Sequence, residues 1–453
     1  MPRRASTASR VDVAFFDPEG VKHLNRTLTR MSTVNDVSRP ESTTSEETLT
    51  TEGPFNFEKT LKGLVKKRDE AHILSRELGV VFEDLRVQGL GSSASYQPTL
   101  GSILNPMSIV RKITTMRNPP LRDILTGFEG VVRPGEMLLV LGRPGSGCTT
   151  FLKTLANHRD EYYSVQGEVH YDSLSHQEIA KHYRGDVQYC PEDDVHFPTL
   201  TVKQTLDFAA KTRVPHARVD PSKSQYVNKM TEILSTIFGL KHVQSTPVGD
   251  NAIRGVSGGE KKRVSIAEAL ATRSRVHCWD NSTRGLDSST ALEFGRALRI
   301  ATDLDHRSTI VSIYQAGETL YELFDKVCVI YEGQMAYFGP ADQARQYFID
   351  MGYEPANRQT TPDFLVAVTD PNGRNPRPDF GPMPRTASEF ADHFMHSSVA
   401  QLNREDIDLY KEAYVGMPER ANAYKKSVRA EHASTAKKKS FVSLYFKFFL
   451  RMA

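Results

Sequence analysis

The sequence predicts an α/β fold built around a largely parallel sheet, and two observations predict it. Between about residue 80 and "MAYFGP", short apolar runs alternate with segments of helical period, as strands and crossover helices do in parallel sheets. Inside that block, "MLLVLG" runs into the glycine-rich "GRPGSGCTT" and leaves through "TTFLKTLANH". Strand, loop and helix stand in the order that a phosphate-binding loop requires.

The whole chain narrows the choices. Its 453 residues allow two or three domains, or one large domain with extensions, and a net charge of +3 gives no argument for nucleic acid as a partner. Four cysteines (Cys148, Cys190, Cys278, Cys328) lie far apart with no CxxC pair, which argues against zinc and disulfide frameworks and fits a reducing cytosol. "MPRRASTASR" has no apolar run behind it, so no signal peptide is expected. No window reaches the roughly 18 apolar residues of a membrane-spanning helix.

Taken in order, residues 1–55 read as a disordered tail. Its Ser-, Thr- and Glu-rich stretch from 31 to about 53 cannot bury enough surface to offset ordering entropy. Helical spacing starts at "FNFEKTLKGLVKKRDE", and "GVVFEDLRVQGL" alternates as a strand does. A single folded α/β domain is expected over 56–375. Near its end "ADQARQYFIDMG" reads as a helix and "TTPDFLVAVTDPNGRNPRP" as a Pro-capped loop. A charged helical connector follows over 376–436. Over 437–453, "KKKSFVSLYFKFFLRMA" sets Ser443, Lys447 and Arg451 four residues apart, a polar stripe on an apolar helix behind three lysines. That is the pattern of an interfacial helix with a basic cytoplasmic flank. An amphipathic helix packed on its own domain is the alternative.

The chemistry concentrates in one constellation. Gly142, Arg143, Pro144, Gly145, Ser146, Gly147, Cys148, Thr149 and Thr150 follow G-x-x-x-x-G-x-T. The glycines let successive N–H groups turn around phosphates, and the following helix offers its positive end. Thr149 is placed to hold Mg²⁺. Cys148 stands where such loops carry lysine, a missing contact worth roughly 1.5–3 kcal/mol. Val256, Ser257, Gly258, Gly259 and Glu260 precede an amphipathic helix and form a second anion-binding turn. About 20 residues on, "VHCWDNSTRGLD" ends an apolar strand in Asp280, suited to Mg²⁺ through water, followed by Asn281 and the loop Gly285-Leu286-Asp287. Upstream lies Glu192 in "QYCPEDDVHFPTLTV". Downstream, "TIVSIYQAGE" carries a strand to Tyr314.

Together these elements resemble the nucleotide-binding domain of an ATP-binding cassette (ABC) transporter over roughly residues 80–370. In detail they resemble the N-terminal domain of the fungal pleiotropic-drug-resistance branch of the G subfamily: "GRPGSGCTTFLKTLAN", "DVHFPTLTV", "RGVSGGEKKRVSIAEA" and "PDFLVAVTDP" carry the match. The resemblance implies a RecA-like P-loop core, an antiparallel ABC β-subdomain and an ABC helical subdomain at about 197–275. It implies ATP and Mg²⁺ as cofactors. The implied partners are a second nucleotide-binding domain and a membrane domain, normally in the same polypeptide, with the chain at the cytoplasmic face of a membrane. Two such domains sandwich two ATPs, each between one domain's phosphate loop and the other's SGG segment.

At four positions the chain departs from that family's catalytic pattern. Cys148 replaces lysine, Asn281 the glutamate after the strand aspartate, Glu192 the glutamine and Tyr314 the histidine. Asn281 cannot accept a proton from water, and loss of a general base costs about 10²–10⁴ in rate. Glu192 is expected to add negative charge beside the phosphates. The expected result is a site that binds Mg-ATP with little hydrolysis and lends Ser257, Gly258 and Gly259 to a partner's site. The alternative is a stand-alone regulatory ATP-binding module from a truncated transporter gene. Soluble cassettes of translation or DNA repair fit less well, since paired cassettes and a coiled-coil insertion are missing.

Lesser features read as structural. Trp279, Cys190 and Cys328 are expected in the core, and His158, His170, His176, His182 and His196 show no metal-ligand spacing. Tyr96 and Phe82 are the candidates for stacking on adenine.

Overall fold

The structure is a computed structural model, and it describes residues 57–70, 76–90 and 121–432 except 216, 217, 219, 221 and 379. The expected tail, Tyr96, and the helix bearing Ser443, Lys447 and Arg451 lie outside the described residues.

Ten strands form one sheet among the described residues: β1 (Val80–Leu90), β2 (Leu121–Val132), β3 (Met137–Gly142), β4 (Ser164–Tyr171), β5 (Leu174–Ser175), β6 (Val187–Cys190), β7 (Val276–Asp280), β8 (Ser308–Ser312), β9 (Lys326–Tyr331) and β10 (Gln334–Pro340). Their order is β5-β4-β1-β2-β10-β9-β3-β8-β7-β6. From β9 to β6 every neighbour is parallel, while β10 runs antiparallel to β9 and the β2-β1-β4-β5 wing is antiparallel throughout. The parallel strands are short, and β3, β7 and β8 are buried at every position. Strands covered by helices on both faces read as continuous apolar runs for this reason.

The helices fall into three groups. The first lies against the core: α1 (Phe57–Glu70), α2 (Cys148–Leu155) and α3 (His176–His182), with Phe151, Leu152 and Leu155 of α2 buried under the sheet. The second is a layer of three mutually packed helices, α4 (Val202–Thr212), α5 (Lys223–Ile237) and α6 (Gly258–Ala271). Each of these starts with a reciprocal cap, in which the Thr201, Ser222 or Ser257 hydroxyl and a Gln or Glu three residues on satisfy each other's backbone N–H. The third follows β7: α7 (Ser288–Asp305), α8 (Glu318–Tyr321), α9 (Ala341–Asp350), α10 (Thr361–Val368), α11 (Ala387–Met395), α12 (Ser398–Tyr414) and α13 (Pro418–His432).

Two stretches differ from the sequence expectation. "TTPDFLVAV" is helix α10 rather than a loop. Pro362 falls in its first turn, where no N–H is needed, and Thr360 caps it while Glu318 accepts from Thr361 N at 2.6 Å. The stretch read as a charged helical connector lies against the domain through its described helices. Phe390 and Phe394 of α11 are buried beside Tyr337, Phe348 and Tyr353. Asp406 of α12 pairs with Arg133 of the β2–β3 turn and with Lys326 of β9, and Tyr424 of α13 donates to Asp186 at 2.6 Å. Its charges cover a row of aromatic residues at helical spacing, which the composition alone conceals.

Candidate functional site

The site forms at the carboxyl ends of β3, β7 and β8, the place where parallel sheets open a crevice to ligands. After β3 the chain turns sharply. A Cβ on Gly142 would meet Ser146 Oγ at 2.3 Å and the Ile330 carbonyl at 2.8 Å, so only glycine lets the loop close over its own strand. Gly145 and Gly147 have φ of +83° and +112°. The loop is tied down by Ser146 N donating to Arg143 O and by Gly333 N donating to Ser146 O. Helix α2 then starts at Cys148 without a side-chain cap, leaving its first N–H groups aimed into the loop.

Cys148 points inward. It is 4% exposed, its Sγ lies 3.4 Å from Ser146 Oγ, and burial pushes the thiol up to about 11. The position is uncharged at neutral pH. Thr149 and Thr150 are half-buried on the first turn.

Asp280, at the end of β7, is buried and takes two hydroxyl donors: Tyr189 OH on Oδ2 at 2.8 Å and Ser312 Oγ on Oδ1 at 2.7 Å. Asn281 follows in the left-handed region at φ +42°, which Asn tolerates better than most residues. Its N–H donates to Ser312, and its Nδ2 donates to Glu192 Oε1 at 2.9 Å. Tyr314, just past β8, is half-buried, and its hydroxyl is raised first by burial and then by the nearby Cys148, Asp280 and Glu192. Cys148, Asn281, Glu192 and Tyr314 therefore occupy one neighbourhood.

One expectation needs correction. Glu192 does not stand as a free negative charge beside the phosphate loop, because Arg284 donates to the same Oε1 that accepts from Asn281. Sequence reasoning missed Arg284; it lies 92 residues from Glu192, and no local pattern links them. Phe82 is likewise ruled out as an adenine platform. It is fully buried, edge-on to Phe151 and Phe338. Trp279 lies in the core, stacked on His277 and edge-on to Phe294, and Cys190 and Cys328 are buried as expected.

The second anion-binding turn differs in character. Ser257 caps α6: Glu260 Oε2 accepts from both the Ser257 N–H and its hydroxyl at 2.8 Å. Ser257 and Gly258 are exposed, and a Cβ built on Gly258 or Gly259 meets nothing within 4 Å. Val256 is half-buried beneath them. In the loop after Asn281, Gly285 has φ +79°, Leu286 packs partly on the core, and Asp287 caps α7 by accepting from Thr290 N at 3.1 Å.

The Gly142–Thr149 cradle fits a polyphosphate through backbone N–H groups and the α2 end. Asp280 and Thr149 supply oxygens of the kind that hold Mg²⁺. The side-chain cation that usually completes such a loop is absent at Cys148.

Fold and site together define a P-loop ATP-binding cassette. The family model described as ABC transporter matches residues 125–284, and that described as ABC-transporter N-terminal matches residues 23–103. The chain belongs to the ABC transporter family, as an ATP-binding domain of the fungal pleiotropic-drug-resistance type. It is 42% identical over 449 residues to the ABC multidrug transporter SNQ2 of Candida glabrata, which covers 98% of this chain and 29% of that protein. It is 44% identical over 397 residues to Protein SNQ2 of Saccharomyces cerevisiae, covering 86% and 26%. The chain thus spans less than a third of the length of these curated relatives. Among solved structures, a dimeric bacterial ABC transporter cassette is similar at 18% identity and a TM-score of 0.43, over 58% of this chain and 98% of that one.

Proposed function

We propose that this chain is the ATP-binding part of a drug- or lipid-exporting transporter, working at the cytoplasmic face of a membrane. Its own phosphate loop binds Mg-ATP with little hydrolysis, and its signature turn completes the catalytic site of a second cassette. The loop N–H groups of Gly145, Gly147, Cys148 and Thr149 would hold the phosphates, and Thr149 and Asp280 would hold Mg²⁺, which when bound offsets phosphate charge. Asn281 takes the place of the general base but cannot accept a proton, and Tyr314 offers a neutral hydroxyl in place of an imidazole. Cys148 leaves binding to backbone dipoles.

The observation that carries this reading is the bare signature turn. Ser257, Gly258 and Gly259 are satisfied as a helix start yet leave open space before them, the arrangement that lets a phosphate of another domain approach.

The test is nucleotide binding and turnover by the purified chain, alone and mixed with a cassette carrying lysine, glutamate and histidine at the matching positions. Binding without turnover alone, and turnover in the mixture, is the expected result. Substantial hydrolysis by the chain alone overturns the roles given to Cys148, Asn281 and Tyr314. Recovery in the soluble fraction with no effect on a second cassette favours the stand-alone regulatory module.

A further inference from the structure

The four departures from a hydrolytic site include two that shift the charge balance in the same, negative direction. The loop lost a cation at Cys148, and the segment after β6 gained an anion at Glu192. Left uncompensated, both would weaken polyphosphate binding. The structure supplies a counter-ion in Arg284, a residue of the loop between Asn281 and Gly285.

Five contacts fix the arrangement. Arg284 Nη1 and Asn281 Nδ2 converge on the same oxygen of Glu192. Lys262, 5% exposed on α6, donates to the Glu192 carbonyl at 2.5 Å and pairs with Asp194 at 3.0 Å, so the main chain cannot carry the carboxylate away. Ser265, one turn on, donates to Asp194 Oδ1 at 2.6 Å and so clamps the same segment to α6. Glu192 is thus held at its backbone by the signature helix and at its head by Arg284.

We propose that Arg284 is a positioning residue for nucleotide binding: it neutralises Glu192 and turns that carboxylate from the phosphates, which keeps a loop without lysine able to bind ATP. The inference rests on the ATP-site reading given above. Arg284 is itself largely exposed, so the pair alone adds little to fold stability. Its effect falls on the ligand, because an unpaired carboxylate next to Asp280 and Tyr314 repels a polyphosphate across a partly desolvated gap.

The experiment compares the full chain with R284A, E192Q and the double variant R284A/E192Q. Affinity for a fluorescent ATP analogue is measured with Mg²⁺ and with a chelator, and the melting temperature is measured without nucleotide. R284A is expected to weaken binding about tenfold, more in chelator than in Mg²⁺. E192Q should bind more tightly than the parent, since the amide keeps the Asn281 contact without the charge. The double variant should return to near the parental affinity, because no unpaired anion remains. Melting should move little in any of them. A double variant as weak as R284A overturns the proposal, because Arg284 would then act on the nucleotide or the fold and not through Glu192. An R284A that binds like the parent also overturns it while leaving the ATP site intact. A parent chain that binds no nucleotide overturns the ATP-site reading and this proposal together.

Discussion

The phosphate loop and the signature turn meet their hydrogen-bonding needs in opposite ways. Around the loop, polar groups close on one another: Ser146 on Cys148, Tyr189 and Ser312 on Asp280, Asn281 and Arg284 on Glu192. At the signature turn, Ser257 and one oxygen of Glu260 satisfy the helix start, the other oxygen of Glu260 meets His242 at 3.0 Å, and Gly258 and Gly259 face open space. A glycine whose Cβ would collide is there for its own fold. One whose Cβ would meet nothing, at ordinary φ, is not required by the chain itself. The contrast separates a region built to stay as it is from one shaped for an approach from outside.

Ser257→Arg tests that contrast most severely. Turnover by the chain mixed with a competent cassette should fall by about 10²-fold or more, while the lost cap costs about 1 kcal/mol of stability. Turnover that survives the arginine would remove the signature turn from any composite site. The two kinds of glycine can be set against each other directly. Gly142→Ala should destabilise the chain by about 1–3 kcal/mol, from overpacking against Ser146 and Ile330, whereas Gly258→Ala should cost no more than about 0.5 kcal/mol. Urea unfolding measures both, and equal losses would erase the distinction.

Cys148→Lys should tighten nucleotide binding about tenfold by restoring the missing cation. Weaker binding would mean that the buried thiol position cannot route a longer side chain to the phosphates. The smallest effect concerns the thiol itself. With its value raised to about 11 from an ordinary 9, Cys148 favours the neutral form in the fold. Its contribution to stability is complete below pH 9 and is lost as pH rises through 11. Alkylation of Cys148 in the native chain should therefore stay slow at pH 8–9, and a Cys148→Ser variant should lose less stability than the parent across that alkaline window.

Much of the parallel core was legible because its signals are local. "MLLVLG" and "VHCWD" are apolar runs whose ends carry the glycine loop and Asp280, and a run of that kind specifies a strand buried on both faces wherever it sits. Helix α10 was hidden because Pro362 and the flanking "DPNGRNP" read as turn chemistry, although a proline in the first turn is compatible with a helix. At the site, the positions of Asp280 and of the loop follow from strand ends, so the sequence places them. The pairing of Glu192 with Arg284 does not follow, because only the parallel register of β6 and β7 brings those two loops side by side. Phe82 was misjudged for the same kind of reason: aromatic character was visible, but which face of β1 meets Phe151 was not.

The way α11 and α12 lie on the sheet and α13 packs beside α3 sets the smallest piece of this chain that can fold. A fragment ending near residue 375, at the expected boundary of the nucleotide-binding domain, would lay bare Tyr337 and Phe348, both fully buried and packed beside Phe394 or Phe390. It would also leave Lys326 and Arg133 without Asp406, and Asp186 without the Tyr424 hydroxyl. Such a fragment keeps every residue of the nucleotide site and is expected to aggregate on expression, whereas one running through His432 carries its own cover.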